Sequence, residues 1–436
     1  MFFELLQIAI GNRDRFSQAP TEGEWRELFA LAQKQAMVGI AFRGVEQLPE
    51  GQRPPKQLLM QWYMATERIK RMNADLDRKA LAVAEKFRGE GFPGVVLKGQ
   101  GIAMLYLVSQ EQRAMSQEQR AMSQEQRAMS QELRAYRTPG DIDIWLHGER
   151  ADILRYVRQH VPDCKPVYHH VDFPVVEGLD IEVHFTPSWM NSPITNRQLQ
   201  RFFKGYGGSE AAGYGLEVNG GGLEGDTKHY TLHATQDNLT QNTQKSQNGK
   251  SLRPCCHPDG DTKHYTLNTK QEYTELPVPS LAFNRVYILV HIYRHLFAEG
   301  VGLRQLLDYY FVLCQGFTQE EREETMRVLR SLKMLRFARA VMWVLQEVYA
   351  MDNRFLLVAP NEREGRFLLD EIMLAGNFGQ YDERLQHERG ESALHWGWRK
   401  VKRNFRFVRS YPSEVLWSPL FKLWHYFWRK GLTAND

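Results

Sequence analysis

The sequence predicts an α+β fold: a small β-sheet, within roughly residues 86–204, surrounded by helices from both ends of the chain. Three observations carry this. Val95–Leu97 and Ile142–Leu146 are short apolar runs rich in β-branched residues, each bounded by turn-forming residues. Residues 167–185 alternate as a β-hairpin does. Residues 1–85 and 276–436 instead repeat their apolar positions at helical spacing.

Taken in chain order, Met1–Ile10 carries an acid and no basic leader, so it reads as a first helix and not a signal peptide. Thr21 and Glu24 have capping-box spacing and open a helix to about Val38. Residues 55–90 read as one long helix or two in series. Val95–Leu97 is the first strand, and Lys98, two glycines and a helix-forming stretch follow it. Ile142–Leu146 is the next strand. Val167–Val176 and Leu179–Phe185 form the hairpin, with a tight turn at Glu177-Gly178 and a first strand that Pro174 marks as an edge or interrupts. After Pro277 and Pro279, Ser280 caps a helix that ends near Gly300. A further helix carries Leu303, Leu306, Leu307, Tyr310, Phe311 and Cys314. Residues 319–350 and 362–378 also read as helices.

Two inserts interrupt the pattern. Ser109–Met115 reads SQEQRAM and recurs from Ser116 and Ser123, with a variant copy at Ser130–Tyr136. Its composition favours helix, but one adjacent Ala-Met pair per copy makes too weak a seam for a coiled coil. Residues 205–275 are poor in aliphatics and carry DTKHYTL twice, at Asp226–Leu232 and Asp261–Leu267. Such a segment buries too little apolar surface to offset its ordering entropy. Cys255 and Cys256 lie near His229, His233, His257 and His264, but adjacent cysteines lack zinc-ligand spacing, so no metal is expected there. The expected units are therefore 1–85, 86–204 with the insert 109–136, 205–275 and 276–436.

The chemistry is concentrated in Gly140-Asp141-Ile142-Asp143-Ile144. In a strand, Asp141 and Asp143 share one face while Ile142 and Ile144 enter a core. Two adjacent carboxylates repel, and a hard divalent cation relieves that. Asp180, Glu182 and His184 likewise share a face of the hairpin's second strand. Glu182 is the expected third carboxylate, with Asp180 the second choice. Lys98 and Gly99, between a strand and a helix start, suit a phosphate. His291 and His295 stand four apart on one helix face, as do Arg304 and Asp308, which are expected to pair.

LKG with the following Leu105-Tyr106, then RTPGDIDIWL at 137–146, then IEVHF at 181–185 resemble a bacterial nucleotidyltransferase family, a branch of the DNA polymerase beta-type nucleotidyltransferase superfamily. His291–Leu296, Gly302–Asp308 and the Trp25, Leu28, Ala32 helix extend the resemblance over most of the chain outside the inserts. It implies a small mixed sheet as catalytic core. It also implies that Asp141, Asp143 and Glu182 bind Mg²⁺, as two ions, and that Glu182 helps to activate the attacking hydroxyl. Lys98 and Gly99 would stand where the superfamily has a phosphate-holding Gly-Ser pair, and Arg137 would neutralise phosphate. On the helices after the core, His291, His295 and Arg304 are the candidates for a substrate pocket, the histidine spacing suiting a metal or a substrate phosphate, while the leading reading of the two histidines is a packed or hydrogen-bonded pair. The reaction implied is attack on the α-phosphate of a nucleoside triphosphate (NTP), with pyrophosphate leaving. Lys-Gly in place of Gly-Ser, and the long gap from Gly99 to Asp141, depart from the superfamily pattern.

The 436 residues are 42% hydrophobic and 25% charged, as in globular proteins, with no apolar run long enough for a transmembrane helix. Four cysteines without framework spacing suit a reducing cytoplasm. A net charge of +4 does not by itself point to nucleic acid. The charge is uneven, however: Trp398–Lys430 holds nine Lys or Arg, interleaved with aromatics, against the single acid Glu414. Two other functions stand beside the transferase, one suggested by the Lys-Gly turn and the long loop after it, the other by this basic end. One is a degenerate nucleotide-binding or interaction module, and the other an RNA- or membrane-associated protein using this basic aromatic end. The acceptor, the nucleotide and the oligomeric state are not encoded in any motif.

Overall fold

The chain starts its helices where it supplies caps. The Glu24 N–H donates to Thr21 Oγ1 at 3.3 Å, and Glu24 Oε2 accepts from the Thr21 N–H at 2.7 Å, closing the box that opens α2, Glu22–Lys34. Thr318 and Glu321 repeat the device at α10, Gln319–Ser331. The Phe283 N–H donates to Ser280 Oγ at the start of α8, Leu281–Ala298. These positions are visible in the sequence because capping is local.

The computed structural model describes residues 1–106, 133–176, 178–206, 276–384 and 392–434. The fold is α+β, a small four-stranded mixed sheet among helices. The heptapeptide copies up to residue 132 and the DTKHYTL segment lie outside the described residues, as do Cys255, Cys256 and their neighbouring histidines. The other helices are α1 Phe2–Ala9, α3 Val38–Gln47, α4 Lys56–Gly89, α5 Gln100–Ala103, α6 Arg150–His160 and α7 Pro193–Lys204. After α8 come α9 Leu303–Cys314, then α11 Leu335–Tyr349, α12 Glu362–Ala375, α13 Ala393–Phe405 and α14 Pro412–Ala434.

Three expectations are corrected. The helix expected to run to Val38 stops at Lys34, and α3 begins anew after a left-handed Ala36. The cause is tertiary. Gln35 is buried, its amide donates to the Ile372 carbonyl, and its oxygen accepts from the Leu303 N–H. The helix after Gly99 is only four residues long, so its dipole is slight. Arg304 and Asp308 do not pair: Arg304 donates to the Thr138 and Pro139 carbonyls, while Asp308 takes Arg137. Residues 55–90 resolve into one helix, α4.

The sheet runs in the order β1-β2-β4-β3, with β1 Gly94–Val96, β2 Ile142–Leu146, β3 His170–Asp172 and β4 Ile181–His184. β1 and β2 are antiparallel, β2 and β4 parallel, and β3 and β4 antiparallel. β3 and β4 are the expected hairpin, and the Leu179 N–H donates to the Val176 carbonyl in the connection. On one face Phe87 of α4 packs on Tyr156 of α6 and on Phe173. On the other, Trp145 stacks on Phe283 of α8. Asp143 shares that second face with Trp145 by strand alternation, so α8 roofs the face that carries the carboxylates. Segment 133–137 is fastened beside it. The Asn73 side chain donates to the carbonyls of Ala135 and Arg137, and Gly39 lets α3 lie against the Tyr136 carbonyl where a Cβ would collide.

Candidate active site

Parallel pairing of β2 and β4 sets Asp143 opposite Glu182 and Trp145 opposite His184. Antiparallel pairing of β3 and β4 adds Asp172 beside Glu182 and His170 beside His184. Three strands thus deliver carboxylates and imidazoles to one neighbourhood. Ligand atoms of Asp143, Glu182 and His184 lie within 4.8 Å of one another, as do those of His170, Asp172 and Glu182, and those of His169, His170 and His184.

His184 Nε2 lies 2.9 Å from Asp143 Oδ1 and 3.3 Å from Glu182 Oε2. Burial opposes a charge on this ring, but the two hydrogen-bonded carboxylates outweigh it, and the imidazole is pushed up to about 9. Burial likewise opposes ionisation of Glu182, yet His184, His170 and Lys98 hold its carboxyl down to about 2. Lys98 Nζ stands 3.1 Å from Asp143 Oδ2 and 3.5 Å from Asp141 Oδ2. Burial works against its ammonium, but Asp143, Asp141 and Glu182 keep its pKa above the ordinary lysine value. Lys98 is therefore a counter-ion on the carboxylates themselves. Asp143 Oδ2 is buried and is held by the Lys98 ammonium alone, so a cation can take it up by displacing that one side chain.

A cleft runs from this cluster toward the helices. Lys98, Gly99, Asp141, His291, Arg304 and Phe378 line it, with Arg137 and Asp308 in its wall. Lys98, Gly99, Arg137, Asp141, His291 and Arg304, picked from three separate stretches of sequence, thus meet at one opening. Gly99 holds a positive φ of 60° there, a conformation that suits glycine. His291 packs against His295 at 4.3 Å between ring centroids, and burial followed by the nearby His295 and Lys98 keeps its pKa well below the ordinary imidazole value. His295 Nδ1 lies 3.6 Å from Glu299 Oε2. Burial, with Arg137 second, lowers Arg304 to about 10, and its Nε has no hydrogen-bond partner.

The sequence-named residues are not all equivalent in place. Asp143 and Glu182 converge directly, and Asp141 joins them through Lys98 at the mouth of the cleft. Asp180 is exposed and contributes its backbone carbonyl to Ile142. The fork of Arg137 is occupied by Asp308, with Nε and one terminal nitrogen each 2.8 Å from a carboxylate oxygen. Sequence reasoning passed over the roles of His184, His170 and Phe378. The histidines could have been found by writing the hairpin register out. Phe378 carries no local signal: it reaches the cleft from a short turn after α12, with a left-handed backbone at φ 52°.

A family model described as an uncharacterised nucleotidyltransferase matches residues 21–116 and 252–350. The match supports a nucleotidyltransferase. It includes Lys98, Gly99, His291, His295 and Arg304, and the stretch between its two parts holds Arg137, Asp141, Asp143 and Glu182. No curated protein and no solved structure matches the chain.

Proposed function

We propose that the protein is a divalent-cation-dependent nucleotidyltransferase that moves a nucleoside monophosphate from an NTP to a hydroxyl on a small molecule or a protein side chain. The observation that carries this is the pairing of Asp143 with Glu182 across parallel strands, beside a cleft lined by Lys98 and Arg304. The acceptor oxygen bonds to the α-phosphorus as the α–β phosphoanhydride bond breaks, pyrophosphate leaves, and the hydroxyl proton passes to solvent. Asp141, Asp143 and Glu182 would hold the cation, Mg²⁺ on the strength of their oxygen donors, which when bound would neutralise phosphate charge and acidify the hydroxyl. Lys98 and Arg304 supply fixed positive charge along the triphosphate's path. His291, kept neutral by burial, is available to exchange a hydrogen bond with substrate. Arg137 serves by holding Asp308 and the wall of the cleft, not by gripping phosphate.

A second reading rests on one observation of its own. Lys98 and His184 already satisfy Asp143 on both oxygens. If those counter-ions are permanent, the protein binds nucleotide without turnover.

The deciding experiment incubates the protein with each α-labelled NTP, Mg²⁺ and a host-cell lysate as acceptor source. It compares wild type with Asp141→Asn/Asp143→Asn, and follows pyrophosphate and label. Transfer by wild type alone supports the transferase. Mg²⁺-dependent nucleotide binding without transfer supports the second reading. Equal transfer by both proteins overturns the site.

A further inference from the structure

Each of the last two helices carries apolar side chains that the other described residues leave uncovered. On α14, Leu416, Leu420, Leu423 and Phe427 fall at i, i+4, i+7 and i+11, which is one stripe of a helix. All four are between 55% and 61% exposed. Trp417 and Trp424 border the stripe on one side, and both are exposed. Tyr426 and Lys430 border it on the other, with the Lys430 ammonium 4.8 Å from the Tyr426 ring centre. The opposite face of α14 is anchored. Phe421 and Trp428 pack on Tyr168, and Glu414 is buried against Arg294 and the Asn191 N–H. On α13, Trp398 and Phe405 lie seven residues apart and are about two-thirds exposed, with exposed Lys402 between them on the same side.

We infer that α13 and α14 form a docking surface for an anionic lipid bilayer, lying in its interface with the Leu416–Phe427 stripe in the acyl boundary. Charge selects the occupant. Residues 398–430 hold nine Lys or Arg and one acid; Glu414 is buried and paired, Arg403 is buried beside Asp382 and Arg406 pairs with Glu371, while Lys402, Arg409, Lys422, Arg429 and Lys430 are exposed. A second copy laid on this stripe would set the exposed cations against one another, with no exposed acid between 398 and 430 to answer them. RNA would find aliphatic Leu416, Leu420 and Leu423 where it needs stacking platforms. An anionic membrane accepts the whole pattern: leucines and Phe427 in the acyl boundary, Trp417, Trp424 and Tyr426 at headgroup level, Lys and Arg at the phosphates. No described helix is long and apolar enough to cross a membrane, so the contact is along the surface.

The test is sedimentation of the full chain with vesicles of phosphatidylcholine alone or of phosphatidylcholine and phosphatidylglycerol at a seven-to-three ratio. Wild type is expected to sediment with the anionic vesicles, at least tenfold less with the neutral ones, and less again at high salt. Leu420→Ser/Leu423→Ser/Phe427→Ser should lower partitioning at least tenfold. Those side chains face solvent, so the fold stays intact by circular dichroism. Lys402→Glu/Arg409→Glu should lower it independently while leaving the stripe untouched. Failure of wild type to bind anionic vesicles overturns the inference, as does unchanged binding by both variants. A wild-type dimer that the triple serine variant dissociates, without vesicle binding, reassigns the face to a second copy. Salt-sensitive RNA binding in place of vesicle binding reassigns it to nucleic acid.

Discussion

Arg137 and Asp308, 171 residues apart in sequence, form a buried two-pronged ion pair that ties the approach to β2 onto α9. Tyr106 adds a third hydrogen bond, its hydroxyl donating to Asp308 Oδ1 at 2.6 Å. Removing one partner of such a pair strands the other in a low-dielectric site. Asp308→Ala should therefore lower unfolding free energy by about 3–5 kcal/mol, read from urea denaturation. A loss under about 1 kcal/mol would mean that water reaches the pair and that it does not hold the cleft.

The two carboxylates named for the third position are separable. Glu182 faces Asp143 across the paired strands, whereas Asp180 is solvent-exposed. Glu182→Gln is expected to cost at least ~100-fold in label transfer, the scale of a lost acid–base or metal-binding group. Asp180→Asn should leave the rate unchanged. Equal losses in initial-rate assays would show that the register does not select the ligand.

Stability should depend on pH through His184. Its folded-state value lies above the ordinary 6.5 because, although burial opposes the charge, Asp143 and Glu182 favour it more. A raised value means that the stabilisation is fully present below about pH 6.5 and is lost as the pH rises through about 9. Urea midpoints without added metal should fall across that window in wild type. They should stay flatter in His184→Gln, and parallel curves would remove His184 from the account.

Gly39 lets α3 meet the backbone at Tyr136. Gly39→Ala puts a methyl group into the Tyr136 carbonyl, so either the helix or segment 133–137 must move. The expected cost is about 1–3 kcal/mol, as for other overpacked sites. Because Arg137 is the next residue, the substitution should also weaken nucleotide binding by equilibrium titration. Normal stability would show that the segment is free to give way.

How much of this was legible in the sequence follows from the range of the forces involved. Strand alternation put Asp143 on a polar-facing position and Ile142 and Ile144 in the core, and Thr21 and Ser280 announced their helices, because each is decided by neighbours a few residues away. The end of α2 was misjudged for the opposite reason: the amide of Gln35 is claimed by Leu303 and Ile372, more than 260 residues downstream. The partner of Arg137 and the arrival of Phe378 in the cleft were invisible on the same ground.

By itself the sequence determined which residues bear charge on strand faces, where helices can start, and that residues 398–430 are basic and aromatic. The tertiary structure decided which charges meet. Asp143 faces Glu182 only because β2 and β4 pair in parallel, across 38 intervening positions whose path no local pattern specifies. Lys98 and His184 then become counter-ions because the folded interior is too poor a solvent to leave carboxylates unanswered.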